Sequence, residues 1–270
     1  MDQFLTVDRF RISYLDQGKG KPIVFLHGWM ANKNVYGDII SNLSKKYRCI
    51  SIDLPGFGKS SVVRKTSIKK ITEILHKALK KLKVDRYFLV GNSLGGAISI
   101  IYTNKYPDEI EKLVLISPFI NFNQFSKFTL NLVRYVIPYA IGKKVIMPIF
   151  KFIKLIVNFR DYKKENPRKT LEKLKKERIK YRAVGAFKIA YELSGLDLYR
   201  LLRRIHKDIL FIYGSRDSLL SIKPLEPLFG VLNNIHLAIY QDVRHFLNTY
   251  NHKELSKKID LFFDQSNVKL

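Results

Sequence analysis

Ser93 stands between two glycines in Gly91-Asn92-Ser93-Leu94-Gly95, after the strand-like run 86–90 and before the helix-like run 96–102. Five such residues recur by chance in many chains. A strand before them and a helix after them give them meaning, because a sharp strand-to-helix turn presents a serine hydroxyl as a nucleophile. The flanking glycines let the backbone turn where a Cβ would clash. The helix that follows aims its first N–H groups at negative charge forming near Ser93 Oγ. The chemistry this suggests is acyl transfer.

A serine hydroxyl attacks poorly at neutral pH unless a base takes its proton, and the base needs a carboxylate to orient it. Six histidines are available. His27 closes a strand, His236 lies within one, and His76, His206 and His252 fall in charged helical text. His245 alone follows the last strand by a few residues, at the mouth of the final helix. Functional groups of an open parallel sheet gather beyond the carboxyl ends of its strands, so His245 fits the base. By the same rule Asp217, in Tyr213-Gly214-Ser215-Arg216-Asp217, fits the acid. Asp242 competes for that role, but three residues before His245 it is awkwardly placed to reach the ring. Ser117-Pro118 stand after the strand ending at Ile116, so no acid is offered there.

The oxyanion of an acyl transfer needs N–H donors. Leu94 N–H, directly after the nucleophile, is one. The loop Leu26-His27-Gly28-Trp29-Met30 should supply the second, with Trp29 N–H preferred and Met30 as the alternative. This chemistry needs neither cofactor nor metal.

These residues must be held by a scaffold, and the chain writes one. Two short strands, near 4–7 and 10–15, lead into the turn 16–20. The continuous apolar run at 23–26 reads as a strand buried on both faces, 48–54 as a second buried strand, and 86–90 and 112–116 as further strands. Between them lie helical patterns at 35–43, 68–82 and 96–105. The second carries Ile71, Ile74, Leu75, Ala78, Leu79 and Leu82 on one side. Alternation stops near residue 119 and resumes with strand 209–213, a helix near 222–230, strand 235–240 and a helix over 246–263. The expected class is α/β: a mostly parallel sheet with helices on both faces. Residues 1–118 and 208–270 form that core, and 119–207 is an all-helical insertion, with one helix over 166–183.

The chain has 270 residues, enough for a full core. Its net charge of +26 is the unusual global feature. Residues 121–207 hold 22 Lys and Arg against six Asp and Glu, a net +16. Such a field draws acidic partners, a membrane surface or an acidic carrier protein; the alternative is a solvated basic face. Nucleic acid is disfavoured, since charge is the only feature pointing to it. Lysines and prolines interrupt every long apolar window of the insertion, which argues against a membrane span. Two readings of the insertion stay open: helices packed as a roof on the core, or an interfacial surface dipping into lipid. Cys49 is the single cysteine, so no internal disulfide forms, and a small buried hydrophobe is expected there. The N-terminus lacks a basic start and an apolar stretch, which favours the cytoplasm, with the basic segment as a means of peripheral attachment to a membrane.

Across nearly its whole length the chain resembles the α/β-hydrolase superfamily. His27-Gly28 is similar to the oxyanion-loop motif, and 53–60 to the Asp-x-x-Gly-x-Gly-x-Ser turn. The stretch 91–95 resembles the nucleophile elbow, 214–217 the acid loop and His245 the base loop. Val243-Arg244 departs from the glycine that many members place beside the histidine. The resemblance implies that 119–207 is a cap that roofs the site and shapes substrate choice. It also implies a serine hydrolase of small-molecule carboxylic esters or thioesters. A serine nucleophile disfavours the haloalkane dehalogenase and epoxide hydrolase branches. His27-Gly28-Trp29 and 53–58 are similar to the carrier-protein methyl-ester esterases, whereas 91–96 is closer to the meta-cleavage-product hydrolases. A C–C bond hydrolase is therefore the alternative within enzymes, and a non-catalytic binding protein on the same fold the alternative outside them.

Overall fold

The structure is a computed structural model, and it describes residues 2–29, 31–61, 67–125, 131, 189, 191–193, 195–245, 247 and 252–264. Most of the insertion expected over 119–207, including its helix over 166–183, lies outside the described residues.

Eight strands make one sheet: β1 (Gln3–Val7), β2 (Phe10–Gln17), β3 (Pro22–Leu26), β4 (Arg48–Ile52), β5 (Tyr87–Asn92), β6 (Ile110–Ile116), β7 (Asp208–Gly214) and β8 (Ile235–Tyr240). Their spatial order is β1-β2-β4-β3-β5-β6-β7-β8. β2 pairs antiparallel with β1 and with β4, and every later pairing is parallel. The parallel strands therefore all end at one edge of the sheet.

Each apolar run feeds two cores because successive side chains of a strand point to opposite faces. In β3, Val24 and Leu26 join one core while Ile23 and Phe25 join the other. In β5, Tyr87 and Leu89 face the first, and Phe88 and Val90 the second. Helices α2 (Ile68–Lys81) and α3 (Leu94–Lys105) cover the first face, and α1 (Gly37–Leu43) and α6 (His252–Asp264) the second. Burying one such aliphatic or aromatic side chain stabilises the fold by about 1.5–3 kcal/mol. α2 starts where Ser67 accepts a hydrogen bond from Lys70 N–H at 3.1 Å, satisfying one of the free donors of its first turn. Its buried residues are those of the sequence pattern from Ile71 to Leu79, joined by Ile68 and Thr72, while Leu82 at its end is half-buried. The short helices α4 (Tyr199–Leu202) and α5 (Glu226–Phe229) flank β7 in sequence.

The helix expected near 222–230 is shorter and irregular. A 3₁₀ turn over Lys223–Leu225 gives way to α5, with Pro224 and Pro227 near the two starts. Each proline lacks the N–H that a continuous helix would use. Cys49 is fully buried, and burial pushes its thiol up to about 12, as expected of a core residue. No helix among the described residues is long and apolar enough to cross a membrane.

Candidate active site

β5 ends at Asn92 and α3 begins at Leu94, so the whole turn falls on Ser93, with φ 51° and ψ −111°. A non-glycine residue held there costs on the order of 1–3 kcal/mol and persists only when its surroundings fix it. Three backbone bonds do so. Ser93 N–H donates to Ile116 O at 3.0 Å, and Ser93 O accepts from Ala97 N–H at 3.1 Å and Phe119 N–H at 3.2 Å. The Asn92 side chain adds a bond to Ile116 O at 3.0 Å. Gly95 lets α3 approach β3: a Cβ there would lie 2.0 Å from Leu26 O.

The first buried strand delivers its following loop to the same place. A Cβ added at Gly28 would stand 3.4 Å from Ser93 Cβ and 3.0 Å from Asn92 Oδ1. His27 anchors this loop from within. It is fully buried, its Nδ1–H donates to Gly28 O at 2.8 Å, and its Nε2 accepts from Leu54 N–H at 3.0 Å. Burial holds the imidazole below its ordinary pKa, outweighing the pull of Asp53. His27 is therefore a neutral strut between the loops after β3 and β4. Trp29 is half-buried against the core, Leu94 is buried at the first position of α3, and Met30 lies outside the described residues.

A second anchor escapes sequence reading. Buried Asp53 accepts Lys33 N–H at 2.7 Å, Lys33 Nζ at 3.2 Å and Lys59 N–H at 2.8 Å. Lys33 is itself buried and also pairs with Asp2 at 3.0 Å. The two ends of this pair are 20 residues apart with no periodicity between them. Only the aspartate of the 53–60 turn gave a hint.

The loops after β7 and β8 are stitched together before they meet the site. Ser215 N–H donates to Tyr240 O at 2.9 Å, Arg216 N–H to Val243 O at 3.0 Å, and Asp242 N–H to Ser215 Oγ at 2.9 Å. This brings Asp217 and His245 together, with Asp217 Oδ2 2.8 Å from His245 Nδ1. Both side chains are almost fully buried, at 2% and 5% exposure. A carboxylate only accepts, so Nδ1 carries the proton and Nε2 is left as the basic nitrogen. Asp217 Oδ1 accepts from Leu219 N–H at 3.0 Å and Leu220 N–H at 2.9 Å. Burial pushes the Asp217 carboxyl up, but His245, Leu220 N–H and the Ser117 hydroxyl together hold it below its ordinary value.

Asp242, the competing acid, is exposed and pairs with Arg216 Nη2 at 2.7 Å. His236 packs against Phe262 and His76 stacks on Tyr106. Of the sequence candidates, then, Ser93, Asp217 and His245 all follow strands that end at one sheet edge, with Asp217 and His245 in direct contact. No group of three or more metal-ligating side chains occurs among the described residues.

A family model described as alpha/beta hydrolase fold matches residues 21–251. Over 100 residues the chain is 33% identical to a pimeloyl-[acyl-carrier protein] methyl ester esterase of Nitrosomonas europaea, covering 37% of this chain and 38% of that one. Over 118 residues it is 32% identical to the 2-hydroxy-6-oxo-6-phenylhexa-2,4-dienoate hydrolase of Comamonas testosteroni, covering 40% of each. The matched segments thus span about two-fifths of these curated relatives. Among solved structures, the bromoperoxidase of Bacillus anthracis superposes with a TM-score of 0.84 at 22% identity, covering 98% of this chain and all of that one. At that identity the likeness is one of fold.

Proposed function

Because this chain belongs to the alpha/beta hydrolase fold family, we propose that it is a serine hydrolase cleaving a carboxylic ester or thioester through an acyl-enzyme. The observation that carries this reading is the buried Asp217–His245 pair, at the same sheet edge as the strained Ser93.

In the proposed first half, Ser93 Oγ bonds to the carbonyl carbon of the substrate and its proton passes to His245 Nε2. Asp217 stabilises the resulting imidazolium and keeps the ring in place. The carbonyl oxygen, now an oxyanion, accepts from Leu94 N–H and Trp29 N–H; one such donor is worth about 3–4 kcal/mol in the transition state. The bond to the leaving alcohol or thiol breaks as that group takes the proton from His245. Water then attacks the acyl-enzyme with His245 again as base, releasing the acid and Ser93.

A second reading is favoured by the likeness to the Comamonas testosteroni hydrolase: the same three residues hydrolysing a C–C bond of a vinylogous diketone. The likeness to a carrier-protein ester esterase, together with the net +16 of residues 121–207, supports a partner on the other side of the charge balance. We take that partner to be an acidic carrier protein or an anionic membrane surface meeting a basic cap at 119–207.

The test is covalent. An organophosphonate probe should label Ser93 in the full chain and leave Ser93→Ala unlabelled. A panel of p-nitrophenyl esters of graded acyl length, set against a vinylogous diketone, separates the two hydrolytic readings. A folded chain that takes no label and turns over neither substrate class would refute both.

A further inference from the structure

Among the described residues, five other than glycine have positive φ: Asp8, Lys83, Ser93, Ser117 and Asp242. Asp8, Lys83 and Asp242 are exposed turn residues. Ser93 is the proposed nucleophile. Ser117, at φ 41°, is fully buried at the tip of β6.

That tip lies between the two halves of the site. Ile116 O receives Ser93 N–H and the Asn92 side chain, while Ser117 N–H donates to Ile212 O of β7 at 2.8 Å. Among the described residues the Ser117 hydroxyl makes no hydrogen bond of ordinary geometry; its backbone is tied to β7, the strand that leads to Asp217, and the hydroxyl is among the groups that hold that carboxyl down. Two features here oppose stability: a side chain in a backbone region that favours glycine, and a buried hydroxyl without a partner. Glycine would remove both, and alanine the second. Neither occupies the position. A use for the hydroxyl accounts for its presence.

Asp217 has a place for it. Oδ1 already accepts two backbone N–H groups, and among the described residues Oδ2 accepts His245 Nδ1–H alone. A carboxylate has about four lone-pair sites, so Oδ2 retains one.

We propose that Ser117 is a positioning residue: its hydroxyl donates to Asp217 Oδ2 and fixes the carboxylate against His245 while the imidazole carries its proton. Ser117 touches no reacting atom and acts only through Asp217. The inference rests on the serine-hydrolase reading above. Removing the hydroxyl leaves Oδ2 facing His245 with one donor fewer. The carboxylate then favours the imidazolium more strongly and is held less firmly in plane.

Ser117→Ala and Ser117→Gly in the full chain test this with the p-nitrophenyl ester that the wild type hydrolyses best. Both should lose about tenfold in kcat, the scale of one hydrogen bond to a charged group, with KM within about twofold. The acid limb of the kcat/KM profile should move up by about half a pH unit. Ser117→Gly relieves the backbone, so its thermal midpoint should exceed that of Ser117→Ala without restoring kcat. It also carries the test should Ser117→Ala fail to fold. Wild-type kcat and an unmoved acid limb in Ser117→Gly would overturn the proposal and leave the hydrolase reading standing. A wild-type chain that hydrolyses no ester and takes no organophosphonate overturns both.

Discussion

His245 Nδ1–H donates to Asp217 Oδ2 across 2.8 Å, and the two residues reach this contact from loops after adjacent parallel strands, β7 and β8. The pair is built from backbone upward. Bonds from Ser215 and Arg216 to Tyr240 O and Val243 O fix one loop on the other, and the side chains meet as a result. A buried carboxylate with three donors needs no further counter-charge, and its contact with Nδ1–H fixes the tautomer of the His245 ring.

Asp217→Asn is expected to fold and to lose about three to four orders of magnitude in kcat with little change in KM. An amide in this place favours the wrong imidazole tautomer. The same chemistry predicts that wild-type activity falls on the acid side as the imidazole takes up a proton, because a protonated base accepts nothing. Steady-state kinetics of both proteins from pH 5 to 8 checks the two statements together. A flat wild-type profile would point to a different base.

Relaxing the elbow should separate stability from activity. Ser93→Gly removes the side chain from a φ of 51°, so the folded state should gain about 1 kcal/mol or more. Hydrolysis should vanish with the hydroxyl. Urea denaturation alongside an ester assay reads both effects. A less stable Ser93→Gly would mean that the turn is not strained in the way its dihedral angles indicate.

Legibility in the sequence followed how local each signal is. The run at 23–26 announced a buried strand because every residue in it is apolar, and the run at 86–90 because four apolar residues follow Arg86. Asp217 was preferred over Asp242 because a residue three positions before His245 reaches its ring awkwardly. The final helix was expected from 246 and is described from His252 onward. Ser117 carried no such signal. A serine between isoleucine and proline is ordinary text, and only a folded chain ties it to β7, the strand that leads to Asp217. The Lys33–Asp53 pair was hidden for the same reason. Gln124, whose side chain ties Pro118 O to the Tyr213 hydroxyl, was hidden too, since Tyr213 lies far along the chain from it.

His27 should set a pH dependence of stability that is separate from catalysis. Its two ring nitrogens are both committed, one donating to Gly28 O and one accepting from Leu54 N–H, and the second bond cannot survive protonation. Burial depresses its folded pKa, whereas in the unfolded chain the imidazole titrates near about 6.5. The sign follows from proton binding: below that pH the unfolded state takes up a proton that the native state refuses. The contribution is therefore complete above about pH 6.5 and declines beneath it by about 1.4 kcal/mol per pH unit, until the folded pKa is reached. Denaturation at pH 7.5, 6.5 and 5.5 should show this slope in the wild type. His27→Gln forfeits one or both ring bonds and begins less stable by about 1–3 kcal/mol, yet it should lose the His27 share of the slope. An unchanged slope in His27→Gln would assign the titration to another group and leave His27 only its packing role.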